Sequence, residues 1–320
     1  MIRILRAGQP GFEQPDVCAP GWKLPSTAVW IDLVEPTRAE ELCIESALDL
    51  LLPTREEMDE IEASSRLYQE DGATFMTATL LHKGGEASPQ ADPLTFVLAD
   101  NRLITIRYFQ PKSFPIFEGQ LERQPELCAT AVATFVNLLE AVVDRTADNL
   151  EFTSNEVEAL SREIFAAQRP GKFAPILNRL GRNQAANSKV RDSLVSLGRL
   201  VGFANLADPI QSDAEARERL ESLQRDISSL MDHSSYLSSN VTFLLDAALG
   251  LINIEQNTVL KIFSSFTIAF LPPTLIGAVY GMNFDHMPEL RWPGGYPMAI
   301  LLMILSAVAP LLWFKKRGWL

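Results

Sequence analysis

The sequence predicts an α+β membrane protein. An N-terminal α/β cytoplasmic domain is followed by a helical bundle, whose long stalk helix continues into the first of two C-terminal transmembrane helices. Three observations lead there. Two charge-free apolar runs stand near the C-terminus, IFSSFTIAFLPPTLIGAVY at 262–280 and MAILLMILSAVAPLLWF at 298–314. The stretch from Glu215 to Tyr280 has no Pro before Pro272 and, as glycines, only Gly250 and Gly277. Runs rich in strand formers are confined to about the first 120 residues. The 320 residues hold 28 Lys and Arg against 40 Asp and Glu, a net charge of −12. The mean hydropathy is nevertheless +0.05 with 21% charged residues, because apolar residues are concentrated near the C-terminus. The acidic balance excludes the basic face of a nucleic-acid binder. Cys18, Cys43 and Cys128 fit neither a disulfide framework nor a zinc pattern, which points to a reducing compartment.

Residues 1–120 are expected to form the cytoplasmic α/β domain. Ala28 to Leu33, Ala73 to Leu81, Leu94 to Ala99 and Leu103 to Phe109 read as strands. Thr37 with Glu40, and Thr54 with Glu57, are capping-box patterns that open helices. Residues 121–261 form a cytoplasmic helical region: antiparallel helices broken near Arg169-Pro170-Gly171, a proline-containing loop at 202–212, then a stalk helix over about 213–261. Leu220, Leu223, Ile227, Leu230, Leu237, Val241, Leu244, Ala248 and Leu251 keep a 3/4 spacing interrupted at Ser234, a stripe that packs against other helices. About 60 residues of helix span roughly 90 Å, a length hard to justify in a monomer. The alternative is two helices with a break near Gly250.

Residues 262–280 and 298–314 are each long enough to cross a bilayer, the second barely. Both are apolar all round, against the alternative of buried core helices with one apolar face. MIRILRAGQPGFEQP at the start holds no apolar run long enough for a signal peptide. Lys315, Lys316 and Arg317 open the basic tail, 315–320, and the positive-inside rule places it in the cytoplasm. Two spans return the chain to its starting side, so both termini are cytoplasmic and the loop 281–297 faces outward.

Asp246, Gly250, Asn253, Asn257, Leu260, Ser264, Thr267, Leu271, Thr274 and Ala278 lie on one helical face. Regular Asn, Ser and Thr suit a water-filled pathway better than lipid; the plainer alternative is helix–helix hydrogen bonding. Two spans cannot enclose a pore, so the pore reading requires a closed symmetric oligomer.

Tyr280-Gly281-Met282-Asn283-Phe284, followed by Met287-Pro288-Glu289-Leu290 and a KKRGWL ending, resembles the CorA family of divalent-cation channels, in its proteobacterial magnesium-transporting branch. The likeness runs from about Asp226 to Leu320, including INIEQN (252–257) and FLPPTL (270–275). The N-terminal 120 residues share only general character, such as the WIDL run. The resemblance implies a homopentamer in an inner membrane, first spans lining the pore. It also implies passive Mg2+ uptake, with Co2+ and Ni2+ as further cargo. Gly281, Met282 and Asn283 then correspond to the selectivity motif, Asp246 and Asn257 to polar pore rings, and Leu260 and Leu271 to apolar constrictions. Lys261 and Lys315–Arg317 correspond to a basic collar. Asn283 amide oxygens accept hydrogen bonds from the waters that Mg2+ sheds reluctantly; a carboxylate ring there holds the ion too tightly for conduction. Gly281 lets the backbone turn sharply, although Gly and Asn also serve as ordinary helix C-caps. Asp285 and Glu289 concentrate cations at the mouth, or are simply solvated loop charges.

The family implies gating by cytoplasmic Mg2+ bound between subunits; Glu221, Asp226 and Asp232 on the stalk and the acidic run Glu56, Glu57, Asp59, Glu60, Glu62, Glu70 and Asp71 offer oxygen ligands without fixing a pair, and Glu221 and Asp226 are the candidates taken. No nucleotide-binding G-x-x-x-x-G-K-[ST] loop is present, and a membrane potential suffices as driving force. His82, His233 and His286 have no Cys at ligand spacing, and no G-x-S-x-G or dinucleotide fingerprint occurs, so no enzyme activity is expected. The alternatives are a zinc transporter of the related two-span family and a membrane-tethered scaffold without transport.

Overall fold

The computed structural model describes residues 1–60, 62–82, 89–166, 173–283 and 287–317. They belong to two compact units. One takes in Met1–Ala167 and Ala174–Leu244, and the other Gln168–Phe173 and Leu245–Leu320.

The first unit opens with β1 (Ile2–Arg6), β2 (Ala28–Val34), α1 (Arg38–Leu48), α2 (Arg55–Met58) and α3 (Ala63–Arg66). It continues through β3 (Leu67–Glu70), β4 (Ala73–His82), β5 (Gln90–Ala99), β6 (Arg102–Arg107) and α4 (Ser113–Leu121). The strands form one sheet in the order β1-β2-β6-β5-β4-β3. Among the described residues only β2 and β6 run parallel; every other neighbouring pair is antiparallel. β2 is buried at all seven positions, as a strand covered on both faces must be. On one face Ile31, Leu33, Val97 and Ile104 pack with Ile44 of α1 and Met58 of α2. On the other, Trp30 meets Phe114 and Phe117 of α4 at 5.8 and 5.9 Å between ring centroids. The four expected strands are all present, and Thr37 and Thr54 both close complete capping boxes. β1 and β3 add to that reading; β3, LYQE, is a four-residue edge strand with no alternation to betray it.

The sheet carries a buried charge network. Asp32 of β2 and Arg107 of β6 are both almost fully buried. Arg107 donates to both Asp32 carboxylate oxygens, Nε at 3.0 Å and Nη2 at 2.8 Å, and its Nη1 donates to the Phe109 carbonyl at 3.0 Å. The Thr105 hydroxyl donates to Asp32 at 2.7 Å, and the Trp30 indole N–H donates to Thr105 at 2.9 Å. Nearly every polar atom in this cluster has its partner, the condition under which a buried ion pair is tolerated.

After the 3-10 turn Pro125–Cys128, the unit turns helical: α5 (Ala131–Ala166), α6 (Phe173–Ala204), α7 (Asp208–Gln211) and α8 (Ala214–Tyr280). The break expected near Arg169-Pro170-Gly171 lies outside the described residues. The loop expected at 202–212 is shorter than that: α6 runs on to Ala204, and Pro209 sits in the first turn of α7, where its missing N–H costs nothing. Asp213 caps α8 by accepting from the Ala216 N–H at 3.0 Å. α8 is one helix of 67 residues with no break at Gly250.

Leu220, Leu223, Ile227, Leu237, Val241 and Leu244 are buried as the stripe requires. Ser234, the interruption, is buried too. Its hydroxyl donates to Asn187 Oδ1 at 3.0 Å while Asn187 Nδ2 donates to the Ser234 carbonyl at 2.8 Å. Gln184 adds a bond to the Ser238 hydroxyl at 2.7 Å. These polar contacts fix the register of α6 against α8, as a polar residue in an apolar seam does. Nearer its start, α8 is clamped to α5 by Arg219, which donates to both Glu140 oxygens at 3.0 and 2.6 Å.

Replacing Arg107 by Met leaves Asp32 charged and buried. Unfolding measurements on the full chain should show a loss of about 3–5 kcal/mol, largely recovered when Asp32→Leu is added. A single variant as stable as the parent would show that the ion pair contributes nothing.

Candidate functional site

The second unit holds the C-terminal part of α8 and, after the 3-10 turn Pro288–Arg291, α9 (Gly295–Lys316). Successive helical residues turn by about 100°, so the side of α8 that α9 takes follows from its contacts. A Cβ placed on Gly277 would stand 3.4 Å from Met303 Cε. Ile262, Ser265, Phe266, Ala269 and Pro273 of α8 line an apolar groove with Met303, Ile304, Ala307 and Leu311 of α9. These α8 residues centre on the face opposite the polar stripe. Asn253, Asn257, Leu260, Ser264, Thr267, Leu271, Thr274 and Ala278 fall within a sector of about 100°, and each is exposed, as are Asp246 and Gly250 in the same stripe.

The stripe hydroxyls are organised. Thr267 donates to the Phe263 carbonyl at 3.0 Å and Thr274 to the Phe270 carbonyl at 2.7 Å. Each hydroxyl thus uses its proton inside its own helix and leaves only oxygen lone pairs facing outward.

α8 ends at Tyr280, and Gly281, Met282 and Asn283 follow directly, all exposed. Among the described residues the glycines with positive φ are Gly8, Gly21 and Gly72. Gly281 lies in the turn that follows α8, without a left-handed φ. Its N–H donates to the Gly277 carbonyl at 2.9 Å, continuing the helix, and a Cβ would meet that oxygen at 3.0 Å. The last carbonyls of α8 point towards this motif, and a helix C-terminus carries partial negative charge.

Glu289 lies in the 3-10 turn with its side chain exposed; Asp285 and His286 lie outside the described residues. The loop is seated by a contact the sequence reading missed. A Cβ on Gly295 would stand 2.1 Å from the Glu289 carbonyl oxygen, so only glycine fits; the Gly294-Gly295 pair was its one visible signal. At the other end of this unit, Asn257, Leu260, Lys261 and Ser264 line a groove of about 430 Å³ whose wall includes Phe314. Lys261 is thus placed near the end of α9 that carries Lys315, Lys316 and Arg317. The Arg317 guanidinium stacks on Trp313, 4.6 Å from the ring centre.

Glu221 and Asp226 are both exposed, but five helical residues separate them by about 140°, so one helix does not bring them together. Asp226 instead faces an acidic group on α5. Burial, reinforced by the charges of Glu140, Asp148 and Asp226, raises the Asp144 pKa.

The family model described as "CorA-like Mg2+ transporter protein" matches residues 25–316. The magnesium transport protein CorA of Yersinia pseudotuberculosis is 35% identical over 295 residues, covering 92% of this chain and 93% of that protein. The protein of the same name from Escherichia coli K12 is 36% identical over 293 residues, with 92% of each chain covered. The complete structure of the CorA magnesium transporter from Methanocaldococcus jannaschii has the same fold, with a TM-score of 0.82 at 19% identity, over 100% of this chain and 99% of that one.

Two glycines in this unit should respond oppositely to alanine. Gly250 is exposed inside α8 with nothing within 4 Å of an added Cβ, so Gly250→Ala should stabilise by about 0.5–1 kcal/mol. Gly295→Ala must displace the Glu289 backbone and should cost about 1–3 kcal/mol. Thermal unfolding of the detergent-solubilised protein checks both.

Proposed function

The chain belongs to the CorA-like Mg2+ transporter family, and from that premise we propose that it is a magnesium channel of the inner membrane, with both termini cytoplasmic. In this reading it is a homopentamer. The 262–280 segments of five α8 helices line the pore, the 298–314 segments of α9 surround them in the bilayer, and residues 1–261 are cytoplasmic. The observation that carries the reading is the exposed polar stripe of α8, which from Thr267 to Ala278 lies opposite the face that α9 takes and ends at Gly281-Met282-Asn283. Two helices per chain cannot close a pore, and a ring of identical chains can.

The chemistry of the stripe supports a hydrated cation as cargo. Mg2+ keeps several of its waters, and those waters present hydrogens outward. They need acceptors. Thr267 and Thr274 offer oxygens whose protons are already committed to the helix, and Asn253 and Asn257 offer amide oxygens. The ring of Asn283 side chains is the selectivity filter in this account. It accepts from the ion's water shell without stripping it, at a helix C-terminus whose partial charge favours a cation. Gly281 and Met282 hold that ring at the end of α8, and Glu289 and Asp285 raise the cation concentration outside it. Leu260 and Leu271 are the apolar constrictions, Asp246 and Asn257 the inner polar rings, and Lys261 with Lys315, Lys316 and Arg317 the basic collar. Co2+ and Ni2+, similar in charge and size, follow the same path.

Uptake is passive. A potential of about 100 mV contributes roughly 2.3 kcal/mol per charge, hence about 4.6 kcal/mol for a divalent ion. Internal Mg2+ closes the channel by neutralising carboxylates between subunits, with Glu221 and Asp226 as the proposed ligands. Because they diverge on one helix, each must face a different neighbour.

The test is Mg2+ entry into proteoliposomes under an inside-negative potential. Asn283→Ala should reduce the flux at least about tenfold while leaving the oligomer intact. Undiminished flux would remove Asn283 from the filter. Zn2+ entry without Mg2+ entry would place the protein among zinc transporters, and no flux of either ion from a folded oligomer would leave a scaffold.

A further inference from the structure

Between β4 and α6 in the first unit, a cavity of about 310 Å³ is lined by Arg66, Arg191 and Arg199 together with Thr77, Thr79 and Ser196. Three guanidinium groups around one cavity are out of keeping with a chain of net charge −12. Arg3, Arg6, Arg38, Arg107, Arg179 and Arg219 each form an ion pair with a carboxylate, while among the described residues others such as Arg102, Arg182 and Arg225 do not, so it is the gathering of three around one cavity that sets this group apart. Among the described residues, Arg66, Arg191 and Arg199 form no such pair; Asp192 borders the cavity without pairing with them.

Arg191 and Arg199 are exposed on α6, and the opposite side of the cavity is held by hydrogen bonds. Arg66 is half-buried, its Nε donating to the Glu60 carbonyl and its Nη1 donating to the Thr79 hydroxyl at 3.1 Å. The Thr79 N–H donates to the Ser196 hydroxyl oxygen at 2.9 Å, which ties β4 to α6. Burial lowers the Arg66 pKa from its ordinary value; Asp59 opposes this and the positive charge of Arg199 adds to it. Like charges held together around a cavity repel unless an anion lies between them. Guanidinium forks match phosphate oxygens two at a time. Arg191 and Arg199 lie eight residues apart on α6, about 12 Å of helix rise, so two linked phosphates offer each fork its own pair of oxygens.

We propose that this cavity binds a polyphosphate anion, either free pyrophosphate or the phosphate tail of a nucleoside diphosphate or triphosphate, with Arg66, Arg191 and Arg199 as its cationic ligands. The site is independent of the transport reading, and lies among residues with no role in the pore.

Isothermal titration of the detergent-solubilised full chain, without Mg2+, tests it with four probes: pyrophosphate, ADP, orthophosphate and sulfate. Pyrophosphate and ADP should bind, and orthophosphate and sulfate should bind at least about tenfold more weakly. Arg191→Gln and Arg199→Gln, both at exposed positions, should each weaken pyrophosphate about tenfold or more. Asp192→Asn should tighten it, and Arg217→Gln, exposed on α8, should leave it unchanged. ADP binding tighter than pyrophosphate identifies a nucleotide as the occupant; equal affinity identifies the phosphate tail alone. No binding of either probe to the parent protein would overturn the proposal. So would binding that survives both Arg191→Gln and Arg199→Gln, or orthophosphate binding as tightly as pyrophosphate.

Discussion

A helix that crosses apolar surroundings while carrying Asn, Ser and Thr along one side has two resting places for that side: another polar surface, or water. In this chain α9 settles which side is left over. It borders the side of α8 that carries Ser265, Ala269, Pro273 and Gly277 and leaves the stripe from Thr267 to Ala278 on the opposite side, with Phe314 bordering Asn257, Leu260 and Ser264. The internal bonds of Thr267 and Thr274 lower the cost of that stripe by using the donors, while the acceptors stay free. The arrangement of two helices thus presents a row of acceptors interleaved with Leu260 and Leu271. Its chemistry suits a hydrated cation and is poorly matched to lipid.

The first unit supplies what such a helix cannot supply for itself. The buried face of α8 is mostly leucine, isoleucine and valine, but Ser234 stands buried where a simple seam would carry leucine. Its register is therefore set by hydrogen bonds to Asn187 and Gln184 of α6 and by the Arg219 clamp on α5. α5 rests in turn on the sheet, where Phe135 meets Phe96 edge-on at 5.6 Å. At the centre of the sheet the sole parallel pair, β2 with β6, is locked by Asp32 and Arg107. A buried pair of this kind is weak evidence for added stability, but it penalises any slip in register, since a slip strands a charge. The polar groups inside this unit act on specificity of packing more than on its strength.

Most of the architecture was legible because it rests on local signals. The two capping boxes, the four central strands, the helical stripe and the two apolar spans each declare themselves within a window of a few residues. What was hidden depends on contacts made at a distance. Asp32 and Arg107 lie 75 residues apart and reveal nothing until β2 and β6 are paired. Ser234 looks like a flaw in a stripe until Asn187 stands opposite. α9 is apolar all round, so its sequence does not say which side of α8 it meets; the small residues of α8 were the available signal. The Arg66, Arg191 and Arg199 cluster joins the end of α3 to α6 across more than 120 residues of sequence, and no motif marks it.

The central claim is that the α8 stripe, and not the α9-facing side, borders water. The most direct measurement is modification by a charged, water-soluble thiol reagent of single cysteines in membrane-embedded protein, in a background with Cys18, Cys43 and Cys128 replaced. The account predicts that Ser264→Cys and Thr274→Cys react and that Ala269→Cys, on the groove with α9, does not. Reaction at Ala269→Cys with Ser264→Cys and Thr274→Cys inert would contradict it, and would place the aqueous path on the other side of the helix.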